Sequence, residues 1–96
     1  MDDKKLAQAF KALSNPNRLR LFQEIRSADA RSYEQGCSLR SVVDLLSVGA
    51  PTVSHHLKEL VNAGLVVTER QGKFVQCHVD RDVLAELRVF LIPGAP

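Results

Sequence analysis

Thr52, Ser54, His55 and Lys58 stand close together in the chain and bring two hydroxyls, an imidazole and an ammonium group into one short stretch. No carboxylate occurs between Asp44 and Glu59, and none occurs between Glu69 and Asp80. The second acid-free window holds Arg70, Gln71 and Lys73 around Gly72. Side chains of these types offer hydrogen bonds and positive charge to phosphates and base edges, and a neighbouring carboxylate would oppose both. A net charge of +2 over 96 residues is weak support for such a role by itself. The distribution carries the argument, not the total.

Helical spacing supplies elements to hold these groups. Leu6, Ala9, Phe10 and Leu13 mark one apolar stripe and predict a first helix. Ser14-Asn15-Pro16 breaks it, with Asn15 suited to cap the next helix and Pro16 to its first position. Leu19, Phe22 and Ile25, with Leu21 alongside, give that second helix its buried face. The polar stretch from Ala28 to Gly36 reads as a connecting loop. Ser38 is placed to cap a third helix carrying Leu39, Val42, Val43 and Leu46.

After the short connection Ser47-Val48-Gly49-Ala50, a fourth helix is expected from about Pro51. Val53, Leu57, Leu60 and Val61 lie on its apolar face, and Gly64 is placed to end it. The period then changes. Leu65 to Thr68 is rich in β-formers, and Val75, Cys77 and Val79 alternate with Gln76 and His78, with Gln71-Gly72 as a tight turn between the strands. Asp80 caps a last helix with Val83, Leu84, Leu87, Phe90 and Leu91, and Pro93-Gly94 ends it.

The chain therefore reads as a single domain over residues 1–96, mainly α with a small β-hairpin. Two short helices joined by a glycine-containing connection fit a helix-turn-helix over about 39–63, and the hairpin over about 65–79 fits a wing. With Val53, Leu57, Leu60 and Val61 turned inward, Thr52, Ser54, His55 and Lys58 fall on the outer side. The second helix of such a pair enters the major groove by its N-terminal residues. A basic hairpin tip at Arg70, Gln71 and Lys73 suits phosphate or minor-groove contact. Spacing alone also fits a plain core helix beside a solvated hairpin.

Four blocks carry a resemblance that goes further. Leu13-Ser14-Asn15-Pro16-Asn17-Arg18-Leu19-Arg20-Leu21, Pro51-Thr52-Val53-Ser54-His55-His56-Leu57-Lys58-Glu59-Leu60, Ala63-Gly64-Leu65-Val66 and Arg70-Gln71-Gly72-Lys73 together resemble the ArsR/SmtB family of repressors. The resemblance runs in order from about Leu6 to Leu91. It implies a winged helix-turn-helix homodimer joined through its first and last helices, with Leu6, Phe10, Leu84, Leu87, Phe90 and Leu91 at the interface. It also implies binding of double-stranded operator DNA that ends when an inducer binds, with base readout at Thr52, Ser54 and His55. Gly49 and Ala50 depart from the serine and glutamine frequent at those places, which leaves the front of the recognition helix poorer in polar groups.

The residues do not name an inducer. A Cys-Val-Cys pair opening the third helix, familiar in the family, is here Cys37-Ser38-Leu39-Arg40, and the last helix offers Asp82 and Glu86 without histidine. Neither usual metal site is expected, and no cofactor is. Adjacent His55 and His56 point about 100° apart on a helix and do not chelate one ion. His55 is assigned to DNA, His56 to packing or capping, and His78 to the surface of a strand. Cys37 and Cys77 are candidate sensing thiols, as a pair that oxidises or that binds a soft metal ion or arsenical, because the family pairs a short strand near Cys37 with the strand carrying Cys77. The alternative for Cys77 is an ordinary small core residue beside Val75 and Val79.

No nucleophile, base and orienting group form a recognisable set, and no phosphate-cradling glycine loop is present, so an enzyme is not expected. A winged helix serving only protein interaction is the rival reading. Arg81, Asp82, Glu86 and Arg88 balance along the last helix, which argues against a membrane-surface role. No apolar run approaches the roughly 20 residues of a membrane span. The start Met-Asp-Asp-Lys-Lys lacks a signal-peptide layout, and the two cysteines do not make a secreted disulfide scaffold, so a cytoplasmic protein is expected.

Overall fold

The structure, a computed structural model, describes residues 1–31, 37–38, 49–72 and 74–94. Its elements are α1 (Asp3–Leu13), α2 (Pro16–Arg31), β1 (Cys37–Ser38), α3 (Ala50–Asn62), β2 (Val66–Gln71), β3 (Phe74–Val79) and α4 (Arg81–Leu91). The third helix expected from Leu39, Val42, Val43 and Leu46, most of the loop before it and Lys73 lie outside the described residues.

Local chemistry sets the helix ends. Asp2 accepts the Lys5 amide at 2.8 Å and starts α1. Asn15 accepts the amides of Asn17 and Arg18 at 2.9 and 3.1 Å, so the expected cap and the Pro16 start of α2 are both present. Arg18 then reaches back. Its Nε donates to the Ala12 carbonyl at 2.7 Å and its Nη2 to the Lys11 carbonyl at 3.3 Å, which satisfies the open end of α1 and fixes the corner between the helices.

Two expectations for α2 need correction. The helix continues to Arg31, past the loop start expected at Ala28, because Ala28 and Asp29 are buried and keep the last turns packed. Leu19 is 40% exposed, whereas Leu21 is fully buried with Phe22 and Ile25. At 3.6 residues per turn Leu19 lies roughly 160° around the helix from Leu21, so both cannot face one core. Val61 on α3 is likewise exposed, and Val53, His56, Leu57 and Leu60 fill the buried side.

Gly64 ends α3 as expected. Its φ of 80° permits the Gly64 amide to reach the Val61 carbonyl at 3.0 Å and the Leu65 amide to reach Leu60 at 3.1 Å. These paired bonds close the helix and release the chain directly into β2. The strands form one antiparallel sheet in the order β1-β3-β2. The strand pairing runs one residue further than expected: Gln71 belongs to β2 and pairs with Phe74, and Gly72 follows it at φ 61°. Asp80 accepts the Asp82 and Val83 amides at 3.1 and 3.2 Å and starts α4. The core lies where α1, α2 and α3 meet the sheet, with Leu87 of α4 closing it.

Candidate nucleic-acid interface

Helix α3 presents Thr52, Ser54, His55 and Lys58 to solvent, while Val53, His56 and Leu57 between them are buried. The polar set is therefore one outward face of a helix whose opposite face is anchored in the core. Substituting these residues changes that surface without opening a cavity.

The start of α3 differs from the other described helices. Asp2, Asn15 and Asp80 each place a side-chain acceptor on the first turn of α1, α2 and α4. The N-cap of α3 is Gly49, which offers no side-chain acceptor, and its first turn contains no acidic residue. Among the described residues no side chain caps the positive end of this helix dipole, which favours an external anion such as a phosphate. The poverty of polar groups at Gly49 and Ala50 thus has an electrostatic consequence.

The hairpin continues from the same core. Arg70 is exposed and pairs in register with Val75, one step before the turn. Gln71 occupies the last register position opposite Phe74. Lys73, the third residue assigned to the tip, lies outside the described residues.

His56 performs the packing role expected of it, at a polar cost. It is buried, and among the described residues its Nδ1 has no hydrogen-bond partner. Burial lowers its pKa below the ordinary histidine value, the positive charges of Arg18 and His55 lower it further, and Glu59 opposes them. The ring is thus held neutral behind the outward face, with the His55 ring centroid 6.1 Å away.

His78 overturns an expectation. The sequence places it on a strand surface, but it is 2% exposed, with Nδ1 2.8 Å from Oδ1 of the equally buried Asp29. Oδ2 of Asp29 accepts the Val79 amide at 2.7 Å. The reason is topological: β3 is the central strand, and the end of α2 covers the face that alternation assigned to solvent. Strand alternation gives no sign of this, although the helix-forming Ala28 and Ala30 around Asp29 are a weak signal that α2 continues.

Cys37 and Cys77 are brought opposite one another. They are Cα partners in the antiparallel pairing of β1 with β3, and Cys77 lies in the core. Among the described residues no group of three or more His, Cys, Asp or Glu side chains is arranged to hold a metal ion.

The residues assigned to dimerisation divide in two. Leu6 and Leu87 are already buried within the chain, and Phe10 and Leu84 are half-buried. Phe90 and Leu91 are 56% and 60% exposed, beside exposed Val89 and Ile92. The rings of Phe10 and Phe90 meet in a tilted contact, 48° between planes at a centroid distance of 5.8 Å, which joins α1 to α4 at the edge of this apolar strip. Met1, Leu6, Ala85, Glu86, Val89 and Phe90 line an open groove of about 500 Å³ along it.

A helix-turn-helix domain family model matches residues 13–69. The chain is 30% identical to an uncharacterised HTH-type transcriptional regulator of Bacillus subtilis over 92 residues, which cover 88% of this chain and 92% of the relative. It is 35% identical to a probable mercury resistance operon repressor of Streptomyces lividans over 81 residues, covering 84% of this chain and 59% of that protein. The solved structure of an ArsR-like transcriptional regulator from Rhodococcus sp. RHA1 matches with a TM-score of 0.75 at 26% identity, over 92% of this chain and 76% of that one.

Proposed function

The chain belongs to the ArsR/SmtB family of winged helix-turn-helix regulators, and from this premise we propose that it represses transcription by binding operator DNA sequence-specifically as a homodimer. The observation that carries the reading is the outward face of α3. Thr52, Ser54, His55 and Lys58 are exposed on a helix anchored in the core, and its first turn has neither an acidic residue nor a side-chain cap. That is a donor surface at a helix end with no side-chain cap among the described residues, which suits a phosphate backbone and base edges.

Each part has a separate task. Thr52, Ser54 and His55 address base edges in the major groove, and Lys58 the adjoining phosphates. Arg70, Gln71 and Lys73 at the wing tip supply phosphate or minor-groove contacts. Two chains join through the exposed strip of Phe90, Leu91 and their neighbours together with Phe10 and Leu84. Such a strip is unfavourable in water and is covered when a second copy supplies the same strip in return. Dimerisation then sets two recognition helices at the spacing of two half-sites.

The reading is of a cytoplasmic regulator rather than an enzyme, and an inducer, whose identity the chain does not disclose, would release it from DNA. No described helix is long and apolar enough to cross a membrane. The test is selection of duplexes from a random pool, followed by affinity measurement across salt concentration. A repressor enriches a defined, two-fold related sequence and loses affinity steeply as salt rises. A module serving only protein interaction enriches no sequence.

A further inference from the structure

Where the last turn of α3 meets the corner between α1 and α2, the surface folds into a cleft of about 220 Å³. Its polar lining is Gln8 and Lys11 from α1, Arg18 from α2, and Glu59 and Asn62 from α3, with two alanines between them. Sites that take drug-sized molecules measure roughly 300–1,000 Å³, so this one suits a metabolite of about amino-acid size. Gln8 lies roughly 160° around α1 from Phe10, which sets the cleft on a different side of that helix from the apolar strip.

Both signs of charge meet there. Lys11 and Arg18 are positive and Glu59 is negative, yet among the described residues none of the three is joined to an opposite charge. Arg18 and Glu59 are both half-buried, where water and salt screen charge less than at an open surface. Opposite charges that line one cleft without pairing leave a gap that a molecule carrying both signs can bridge.

The positive side is held in place. Arg18 donates from Nε to the Ala12 carbonyl at 2.7 Å and from Nη2 to the Lys11 carbonyl at 3.3 Å. Those bonds fix the guanidinium plane and leave further N–H groups of the fork for a carboxylate. The negative side is set by α3. Glu59 stands in the last turn of that helix, which contains no basic residue, and the negative end of the helix dipole adds to its attraction for an ammonium group. The exposed amides of Gln8 and Asn62 can donate and accept beside both.

His56 adds an unsatisfied group next to them. It lies three residues before Glu59 on α3, it is 8% exposed, and its Nδ1 has no hydrogen-bond partner among the described residues. Burial is the main cause of its lowered pKa, and among the charges that also act on it are Arg18 and Glu59, both of the cleft. The ring therefore stands close to these two groups. A polar molecule in the cleft, directly or through a retained water, can offer the partner that the described residues do not.

We propose that this cleft binds a free α-amino acid as its zwitterion, with the carboxylate on Arg18 and the ammonium group on Glu59, and that Lys11 favours those with an acidic side chain. Lys11 and Arg18 against Glu59 leave the lining with one net positive charge, which complements the net negative charge of an acidic amino acid. The site stands apart from the repressor reading, and binding at it is measured without DNA.

The experiment is calorimetric titration of the full chain at low ionic strength with L-aspartate, L-alanine and succinate. L-Aspartate is expected to bind at one per chain, L-alanine several-fold more weakly for want of the second carboxylate, and succinate at least about tenfold more weakly for want of the ammonium group. Glu59→Gln is expected to weaken L-aspartate roughly tenfold without weakening succinate, a difference that a general loss of fold does not produce. Lys11→Ala, at an exposed position, removes the preference for L-aspartate over L-alanine and leaves L-alanine affinity unchanged. No binding at about 10 mM L-aspartate overturns the proposal. Succinate binding as tightly as L-aspartate also overturns it, because the cleft is then a plain anion site. L-Aspartate binding that both substitutions leave unchanged overturns it too, because the molecule then sits elsewhere. Duplex selection tests the repressor reading separately from all of these.

Discussion

Nδ1 of His78 lies 2.8 Å from Oδ1 of Asp29, joining the end of α2 to the central strand of the sheet through two buried side chains. The other carboxylate oxygen accepts the Val79 amide at 2.7 Å, so a single aspartate fixes both a side chain and the backbone of the strand that supports the wing. His78 Nε2 stands 3.8 Å from an oxygen of the exposed Glu69, which adds a weak contact on the solvent side.

Asp29 is therefore a structural keystone that belongs neither to α3 nor to the hairpin. Asp29→Ala removes the two oxygens used by His78 and Val79, and the expected cost is about 2–6 kcal/mol for two buried groups that lose their hydrogen-bond partner. Asp29→Asn keeps one acceptor and costs less. Urea unfolding of the three proteins checks the order, and equal midpoints for Asp29→Ala and the parent chain would contradict it.

How far the sequence discloses this molecule depends on the range of the signal. Asn15, Asp80 and Gly64 act within a few residues of themselves, so their caps and the ends they impose are legible in the chain. The outward position of Thr52, Ser54, His55 and Lys58 follows equally from the spacing of Val53, Leu57 and Leu60. Leu19 and Leu21 show where a stripe reading fails, because two leucines so close in the chain compete for one face and only packing decides between them. His78 and Asp29 are harder still. Each reads as surface polar in its own window, and only the passage of α2 across β3 makes them buried partners. Cys37 and Cys77 lie between these cases: family-based strand pairing predicts their approach, and the register makes them direct partners.

On the proposed reading, the wing is expected to contribute affinity more than selectivity. Arg70→Ala weakens binding to operator and to unrelated duplex by similar factors and lowers the salt slope by about 1. Fluorescence anisotropy titrations at several salt concentrations measure both quantities. A loss confined to operator DNA would place Arg70 at a base instead.

His56 makes stability depend on pH. Its folded pKa is lowered, chiefly by burial and then by Arg18 and His55, so below the ordinary value of about 6.5 the unfolded chain binds a proton that the folded chain refuses. Above that value both states are neutral and the residue contributes no pH dependence. As pH falls from about 7.5 to 5.5, stability of the parent chain therefore declines more than that of His56→Leu. The variant also removes a buried nitrogen without a hydrogen-bond partner among the described residues, so it is expected to fold at least as stably at neutral pH. Parallel curves for the two proteins would contradict this account.

Exposed Phe90 is the most direct handle on assembly. Phe90→Asp places a charge in the apolar strip of α4 while sparing the buried Leu87, so the folded chain is expected to run as a monomer. Light scattering coupled to size exclusion gives the mass. Operator affinity should fall with it, because a monomer engages one half-site. A dimeric Phe90→Asp variant would move the interface elsewhere.

The central claim is that the outward face of α3 reads base sequence. Its most direct test is the ratio of affinities for selected operator and scrambled duplex, compared between the parent chain and a Ser54→Ala, His55→Ala double variant. Both side chains are exposed, so the variant keeps its core. The ratio is predicted to shrink by the equivalent of about 1–3 kcal/mol while affinity for scrambled DNA stays nearly constant. An unchanged ratio would contradict the assignment of sequence reading to Ser54 and His55 on this face of α3.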